Sequence, residues 1–328
     1  MKKLTKLFGI IFVLQLIEIP CQANAETKPY RIGILQMVDD LNNAVEGFKE
    51  GLKELGYVEG KDVKYDYMNA RANPSKIIEY ANYFLEIKKD LIFACSTPVT
   101  KILKSITKER KNNTPVVFTP VSDPVAAGIA ESWNSSGNNL TGVASGVVTD
   151  VQLELMLKIK PSIKKVLVIS KKGDNSSEEG LKKIITKAKE LSIELVVKRP
   201  EKPSDVIADM EKIDLSTIDA IHIPPDTMVG NQIETIFGSS RKYKIPIIVH
   251  SPLMMKDGGF LYYVSDYFQL GRQAARQAHK ILKEKIPPKN IPIEKPTEYY
   301  LGVNKNLLEE YQLKLPADLM TKAKLVSM

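Results

Sequence analysis

Short, unbroken apolar runs alternate along this chain with longer stretches whose apolar residues recur every three or four positions. Ile32 to Leu35, Leu91 to Ala94, Val116 to Thr119 and Val166 to Ser170 are the clearest runs. A strand with one wet face alternates apolar and polar residues, so a continuous apolar run predicts a parallel strand covered on both faces. Between the first two runs lies Asn43 to Leu55, where Ala44, Phe48, Leu52 and Leu55 share one helical face. Gly56 supplies a C-terminal stop and Val63 to Tyr67 resumes a strand, which completes a βαβ unit. Repeated alternation of this kind predicts an α/β fold with doubly wound parallel sheets.

The pattern then occurs a second time. Tyr30 to Leu35 followed by Gly51 to Gly56 is echoed by Lys165 to Ser170 followed by Gly180 to Lys182 and Lys189 to Ser192. Asp90 to Ala94 is echoed by Asp219 to Ile223, and Thr114 to Phe118 by Ile245 to Val249. The spacing is about 130 residues, far beyond the period of solenoid repeats. Two similar lobes of four or five strands each are expected, with a cleft between them. The Ser135-Ser136-Gly137-Asn138-Asn139 turn before Leu140 to Val143 leads toward a first crossover, a second is expected near His250-Ser251-Pro252, and a third after Pro287-Pro288. Lobe one is then residues 26–143 plus about 252–286, and lobe two is residues 144–251 plus about 287–328.

The N-terminus departs from this pattern. Lys2, Lys3 and Lys6 precede an apolar run from Leu7 to Ile17, and Ala23-Asn24-Ala25 fits a small-x-small cleavage site. Residues 1–25 read as a signal peptide cleaved near Ala25, which predicts export to the periplasm or the outer face of the cytoplasmic membrane. The run holds Gln15, ends at Glu18 and is shorter than the roughly 20 apolar residues of a membrane span. Cys21 is a possible lipid anchor, but Glu18-Ile19-Pro20 before it lacks the small side chains that lipoprotein processing requires. Cleavage leaves Cys95 as the one thiol, so the fold must rest on its cores rather than on a disulfide. It also lowers the formal net charge from +8 to +6. The lysines are interspersed with glutamates on helical stretches, which reads as solvated surface and not as a nucleic-acid stripe.

Ligands of open parallel sheets bind beyond the carboxyl ends of the strands, near helix N-termini that offer unpaired N–H groups. Read at those ends, the chain offers Ser96 and Thr97 before Pro98, Ser122 and Asp123 before Pro124, Asn175 and Ser176 ahead of Glu179, and Asp226 with Thr227. Thr97 and Asp123 are expected as N-caps, and Ser176 with Glu179 as a capping box. Capping alone accounts for any one of these loops. Four of them at corresponding strand ends of facing lobes are placed to hold a small anion or carboxylate on backbone N–H groups, while Asp226 or Asp123 neutralises an ammonium. Asp39-Asp40 after the first strand is a further acidic pair. Trp133, Tyr262, Tyr263, Tyr267 and Phe268 are candidates for an aromatic wall, Tyr267 foremost. His222, His250 and His279 lack metal-ligand spacing, Cys95 has no neighbouring base, and no phosphate loop, dinucleotide fingerprint or nucleophile elbow occurs. No metal, no cofactor and no catalytic group are expected.

With these residues in view, the chain resembles the ABC transporter substrate-binding protein family that includes tryptophan- and tyrosine-binding receptors. Gly47 to Leu52, Ser96-Thr97-Pro98, Val121 to Gly128, Asn139 to Val143 and Asp266-Tyr267 with Leu270-Gly271 carry the resemblance over nearly all of the chain after residue 25. Its most specific part is Ser122-Asp123-Pro124 followed by Asn139-Leu140-Thr141-Gly142. The resemblance implies a type I periplasmic binding fold, closing by hinge motion on a small-molecule solute that is handed to an ABC permease and its ATPase. It implies pocket positions at Ser96, Thr97, Ser122, Asp123, Asn175, Ser176 and Asp226. Relatives carry an acidic residue and His where this chain has Asp39-Asp40, and Asp-Asn where it has Asp226-Thr227, which leaves the identity of the solute open. The leading expectation is a receptor for an amino-acid-like, aromatic solute. The alternatives are a receptor for a nucleoside or sugar, and a ligand-sensing module for a partner signalling protein.

Overall fold

A computed structural model describes residues 28–327. The expected signal peptide lies outside the described residues. The first sheet is built from β1 (Tyr30–Gln36), β2 (Val63–Asn69), β3 (Leu91–Cys95), β4 (Val116–Val121) and β5 (Leu140–Ala144), in the order β2-β1-β3-β4-β5 with every pairing parallel. β3 and β4 are buried along their whole length, as their unbroken apolar runs require. One face packs on α1 (Asn42–Glu54), the other on α2 (Pro74–Glu86) and α3 (Thr97–Glu109). Inside, Phe48 stacks on Phe93 with ring centroids 4.0 Å apart.

After β5 the chain passes through residues 145–148 into α4 (Thr149–Ile159) and a second sheet. That sheet contains β6 (Lys165–Ile169), β7 (Glu194–Lys198), β8 (Ala220–His222), β9 (Ile247–Val249), β10 (Leu261–Ser265), β11 (Tyr299–Asn304) and β12 (Ala323–Val326). Its order is β12-β11-β10-β9-β8-β6-β7. The first five strands of this lobe thus repeat the order of lobe one, β7-β6-β8-β9-β10 against β2-β1-β3-β4-β5, so the sequence echo is an echo of topology. β11 extends the sheet by pairing antiparallel to β10, which departs from the all-parallel expectation and from the expected four or five strands. The helices around this sheet include α4 and α5 (Asn175–Glu190) on one face, with α6 (Pro203–Lys212), α7 (Thr227–Gly230) and α8 (Ile233–Ser240) on the other.

Two expected boundaries move. β10 pairs with β9 in the second sheet, so the chain leaves lobe two at Ser265–Asp266 and not near residue 252. The next helix, α9 (Tyr267–Leu282), covers the first sheet against α1. The third crossover also comes later than Pro287-Pro288. Ile291 and Ile293 still belong to lobe-one cores, and Glu294 exchanges backbone hydrogen bonds with Gly142 and Ala144 beside β5. Only residues 295–298 then span to β11.

The α1–α9 contact is glycine-mediated. A Cβ at Gly47 would overlap the carbonyl of Phe268, one at Gly271 would overlap the carbonyl oxygen of Ala44, and one at Gly51 would lie 2.7 Å from the Cβ of Ala275. The two backbones therefore touch where side chains ordinarily separate helices.

Candidate functional site

A cleft lies between the lobes where the crossovers meet. Lobe one contributes Ser122, after β4, and Tyr267 at the start of α9. Lobe two contributes Pro225 after β8, His250 after β9, and Tyr263 on β10. The crossovers and the start of α4 add Ser145, Gly146, Thr149, Gln152 and Ser265. Among the described lining residues the walls carry hydroxyls, one amide, one imidazole, two phenol rings and the apolar Val148, Val264 and Pro225, and no carboxylate, ammonium or guanidinium. Such a surface binds by hydrogen bonding and ring contact rather than by ion pairing.

Of the expected site residues, the structure brings Ser122 and Tyr267 to this cleft. Burial raises the Tyr267 phenol above its usual range and the Asp40 carboxylate adds to the shift, so it faces the cleft as an un-ionised donor. Asp39 and Asp40 are exposed at the end of β1, where Asn69 Nδ2 donates to Asp39 Oδ1 at 2.6 Å. Ser96, not Thr97, is the N-cap of α3, accepting from the Val99 N–H at 3.5 Å. Pro98 thus occupies the second helical position, with Thr97 first. Ser96 has φ +106, a strained value for a residue with a Cβ, at the point between β1 and β3 where the strand order reverses. Asp123 Oδ1 accepts from the N–H groups of Val125 and Ala126 at 2.9 Å, closing a turn rather than capping a helix.

Lobe two differs more from expectation. Asp174, not Ser176, caps α5, accepting at 3.0 Å from the N–H groups of Ser176 and Ser177. Asn175 opens that helix, as Thr227 opens α7. Asp226 is 5% exposed. Its Oδ2 accepts from the Lys171 N–H at 2.9 Å and the Ser177 hydroxyl at 3.1 Å, and its Oδ1 from the N–H groups of Met228 at 2.8 Å and Val229 at 3.2 Å. A carboxylate offers about four lone-pair sites, and all four are occupied within the lobe. Asp226 ties the β6–α5 connection to the start of α7 and has no capacity left for a ligand ammonium. The aromatic candidates divide as well: Tyr263 and Tyr267 line the cleft, Tyr262 is buried in a lobe-two core, and Trp133 packs on lobe one beneath the Lys295 ammonium. Cys95 is fully buried, and burial pushes its thiol up, which suits an inert core filler.

His222 and His250, which lack metal-ligand spacing, lie in the lobe-two wall with Gln152. Gln152 Nε2 donates to the Tyr263 carbonyl at 2.9 Å, and its Oε1 pairs with His222 Nε2 at 3.0 Å. That pair requires the proton on His222 Nε2. Burial, reinforced by nearby His250, pushes the His222 imidazole down to about 3. Burial also pushes His250 down to about 4, against the opposing pull of Asp226. Both are neutral in the folded protein, whereas an unfolded imidazole titrates near 6.5. Below that pH the unfolded chain binds protons that the folded chain refuses, so the stability is fully present above pH 6.5 and is lost as pH falls toward 4. Inside that window His222 should remove about 1.4 kcal/mol per pH unit. Urea unfolding at pH 7 and pH 5 should show the loss, and His222→Gln should make it smaller. An equal loss in the variant would refute this account.

No local signal marked Ser145, Gly146, Thr149, Gln152 or Ser265, because they acquire a role only where strands from both lobes cross. The repeat was the one available pointer: β10 occupies in lobe two the place of β5 in lobe one, and both run directly into a crossover.

Comparison with known proteins agrees with this architecture. Residues 31–327 match the family model described as ABC transporter substrate binding protein. The chain is 30% identical over 294 residues to a tyrosine-binding protein of Clostridioides difficile (strain R20291), spanning 89% of this chain and 84% of that protein. Among solved structures, the ABC domain in complex with L-Trp from Streptococcus pneumonia superimposes with a TM-score of 0.81 at 23% identity, covering 92% of this chain and 100% of that one. A conserved domain protein from Vibrio cholerae gives the same TM-score and coverage at 26% identity. The fold is the two-lobed type I periplasmic binding architecture.

Proposed function

This chain belongs to the ABC transporter substrate binding protein family, and from that premise we propose that its interlobe cleft captures an aromatic, amino-acid-like solute. The observation that carries the reading is the cleft wall itself, two tyrosines from opposite lobes facing a ring of hydroxyls. Tyr267 and Tyr263 hold the ring of the solute by stacking or edge contact. Ser122, Ser145, Thr149 and Ser265 meet its polar end. A relative that is named for tyrosine binding supports the same class of ligand. The lobes close over the solute because it makes contacts with both of them at once in the closed state. Substrate carriers of this kind bind and release without chemistry. Export after cleavage near Ala25, and delivery to an ABC permease with its ATPase, complete the proposal.

The uncharged wall favours a second reading, a neutral aromatic solute such as a nucleoside. A thermal-shift screen of the unfolded and refolded protein separates the two. An aromatic amino acid at about 100 times its Kd should add roughly 2.7 kcal/mol of stability. Tyr267→Ala should weaken that binding about tenfold or more by isothermal titration. A shift with nucleosides alone would replace the amino acid by the second class of solute.

A further inference from the structure

We propose that Tyr299 is a positioning residue that couples occupation of the cleft to the angle between the lobes. The inference rests on the reading that the solute lies against Tyr263. Tyr299 begins β11, directly after the third crossover, and in the antiparallel register it lies opposite Ser265, the residue at the second crossover. The Ser265 hydroxyl donates to the Ser145 carbonyl on the first crossover at 3.0 Å. The Tyr299 ring stacks on that of Tyr263, centroids 5.4 Å apart and planes 21° from parallel. Its hydroxyl fills the space where a Cβ on residue 146 would stand, and that residue is a glycine at φ +73.

One side chain therefore sits on one crossover, backs a cleft-wall ring next to another, and seats its hydroxyl on the third. β10 and β11 belong to the same sheet, so the Tyr263–Tyr299 stack moves with lobe two as a unit. The seat at Gly146 lies on the chain between the lobes. Rotation of the lobes changes that contact first. A solute that presses on Tyr263 is resisted by Tyr299, whose support depends on the seat at Gly146. Position 146 is thereby restricted to glycine twice, by its backbone angle and by the hydroxyl above it.

Small-angle scattering of the ligand-free protein tests the hinge without a solute. Gly146→Ala should change the scattering profile, and adding Tyr299→Phe should return it toward wild type, since the hydroxyl and not the ring occupies the Cβ position. Tyr299→Leu keeps the glycine but loses the stack and the seat, and should also change the ligand-free profile. Unchanged profiles in both single variants would overturn the proposal, as would a Gly146→Ala profile that Tyr299→Phe leaves uncorrected. With L-tyrosine as the probe, Tyr299→Leu should raise the dissociation rate roughly threefold to tenfold while the association rate stays within about twofold. A fall in the association rate as large as the rise in the dissociation rate would indicate a damaged fold and overturn the coupling. If wild type binds no L-tyrosine, the aromatic amino acid reading fails, and the scattering arm alone decides the hinge.

Discussion

Gly271→Leu should prevent lobe one from folding, and Gly271→Ala or Gly47→Ala should each cost roughly 2–4 kcal/mol. At both positions the atom that a Cβ would strike is backbone, the Ala44 carbonyl oxygen in one case and the Phe268 carbonyl in the other. A flexible side chain can swing aside, but a helix backbone can yield only by translating the whole helix. α9 carries Leu270, Ala274, Ala275, Ala278, Ile281 and Leu282 into the core it shares with Phe48 and Leu52, so that translation would open voids along the lobe. Urea denaturation read by circular dichroism measures the effect. The double alanine variant should cost less than the sum of the singles, because one displacement of α9 relieves both clashes. A midpoint equal to wild type in either single variant would show that the helices are not in contact at these glycines.

Asp226→Ala should destabilise the protein by about 3–5 kcal/mol, and it should do so with the cleft empty. The substitution strands the N–H groups of Lys171, Met228 and Val229 and the Ser177 hydroxyl in a region where the carboxylate itself is 5% exposed. Asp226→Asn should recover part of the loss, since the amide keeps one acceptor oxygen but turns the other into a donor facing donors. The comparison separates two roles that a binding assay alone would confuse. A ligand partner would leave the melting temperature of the empty protein unchanged on substitution. A loop-organising carboxylate lowers that temperature first and weakens binding as a consequence. Calorimetry of the ligand-free variants decides between them, and an unaltered melting temperature in Asp226→Ala would restore the residue to the ligand.

The parallel strands were readable because burial on both faces leaves an unbroken apolar run, as in Leu91 to Ala94. The two lobes were readable because their strands repeat in order. The crossover at Ser265 was missed because Leu261 to Ser265 has the composition of any core strand, and nothing local states which sheet it joins. Carrying the repeat one strand further, from Leu140 to Leu261, would have assigned it to lobe two. The caps of α3 and α5 were located to within a residue or two, whereas the helix expected after Asp123 is a turn. Where several polar residues adjoin, as in Cys95-Ser96-Thr97-Pro98 and Asp174-Asn175-Ser176, each of them can accept a helix N–H, and the backbone turn decides among them. Asp226 was read as a free charge at a strand end, since sequence does not reveal how many donors converge on a carboxylate. The cleft-lining residues of the crossovers escaped for a related reason: their neighbours are far apart in the chain.

The three crossovers also fix an order of assembly. Lobe one is made of two segments separated by most of lobe two, and the helix that covers one face of its sheet is complete only at Leu282. A growing chain therefore carries the apolar face of α1, and the part of the sheet that α9 covers, for well over a hundred residues of synthesis without that helix. At roughly 5–20 residues per second, that interval lasts on the order of ten seconds or more. During it the N-terminal lobe stays open to chaperones, and the first sheet cannot close before the second has largely been made.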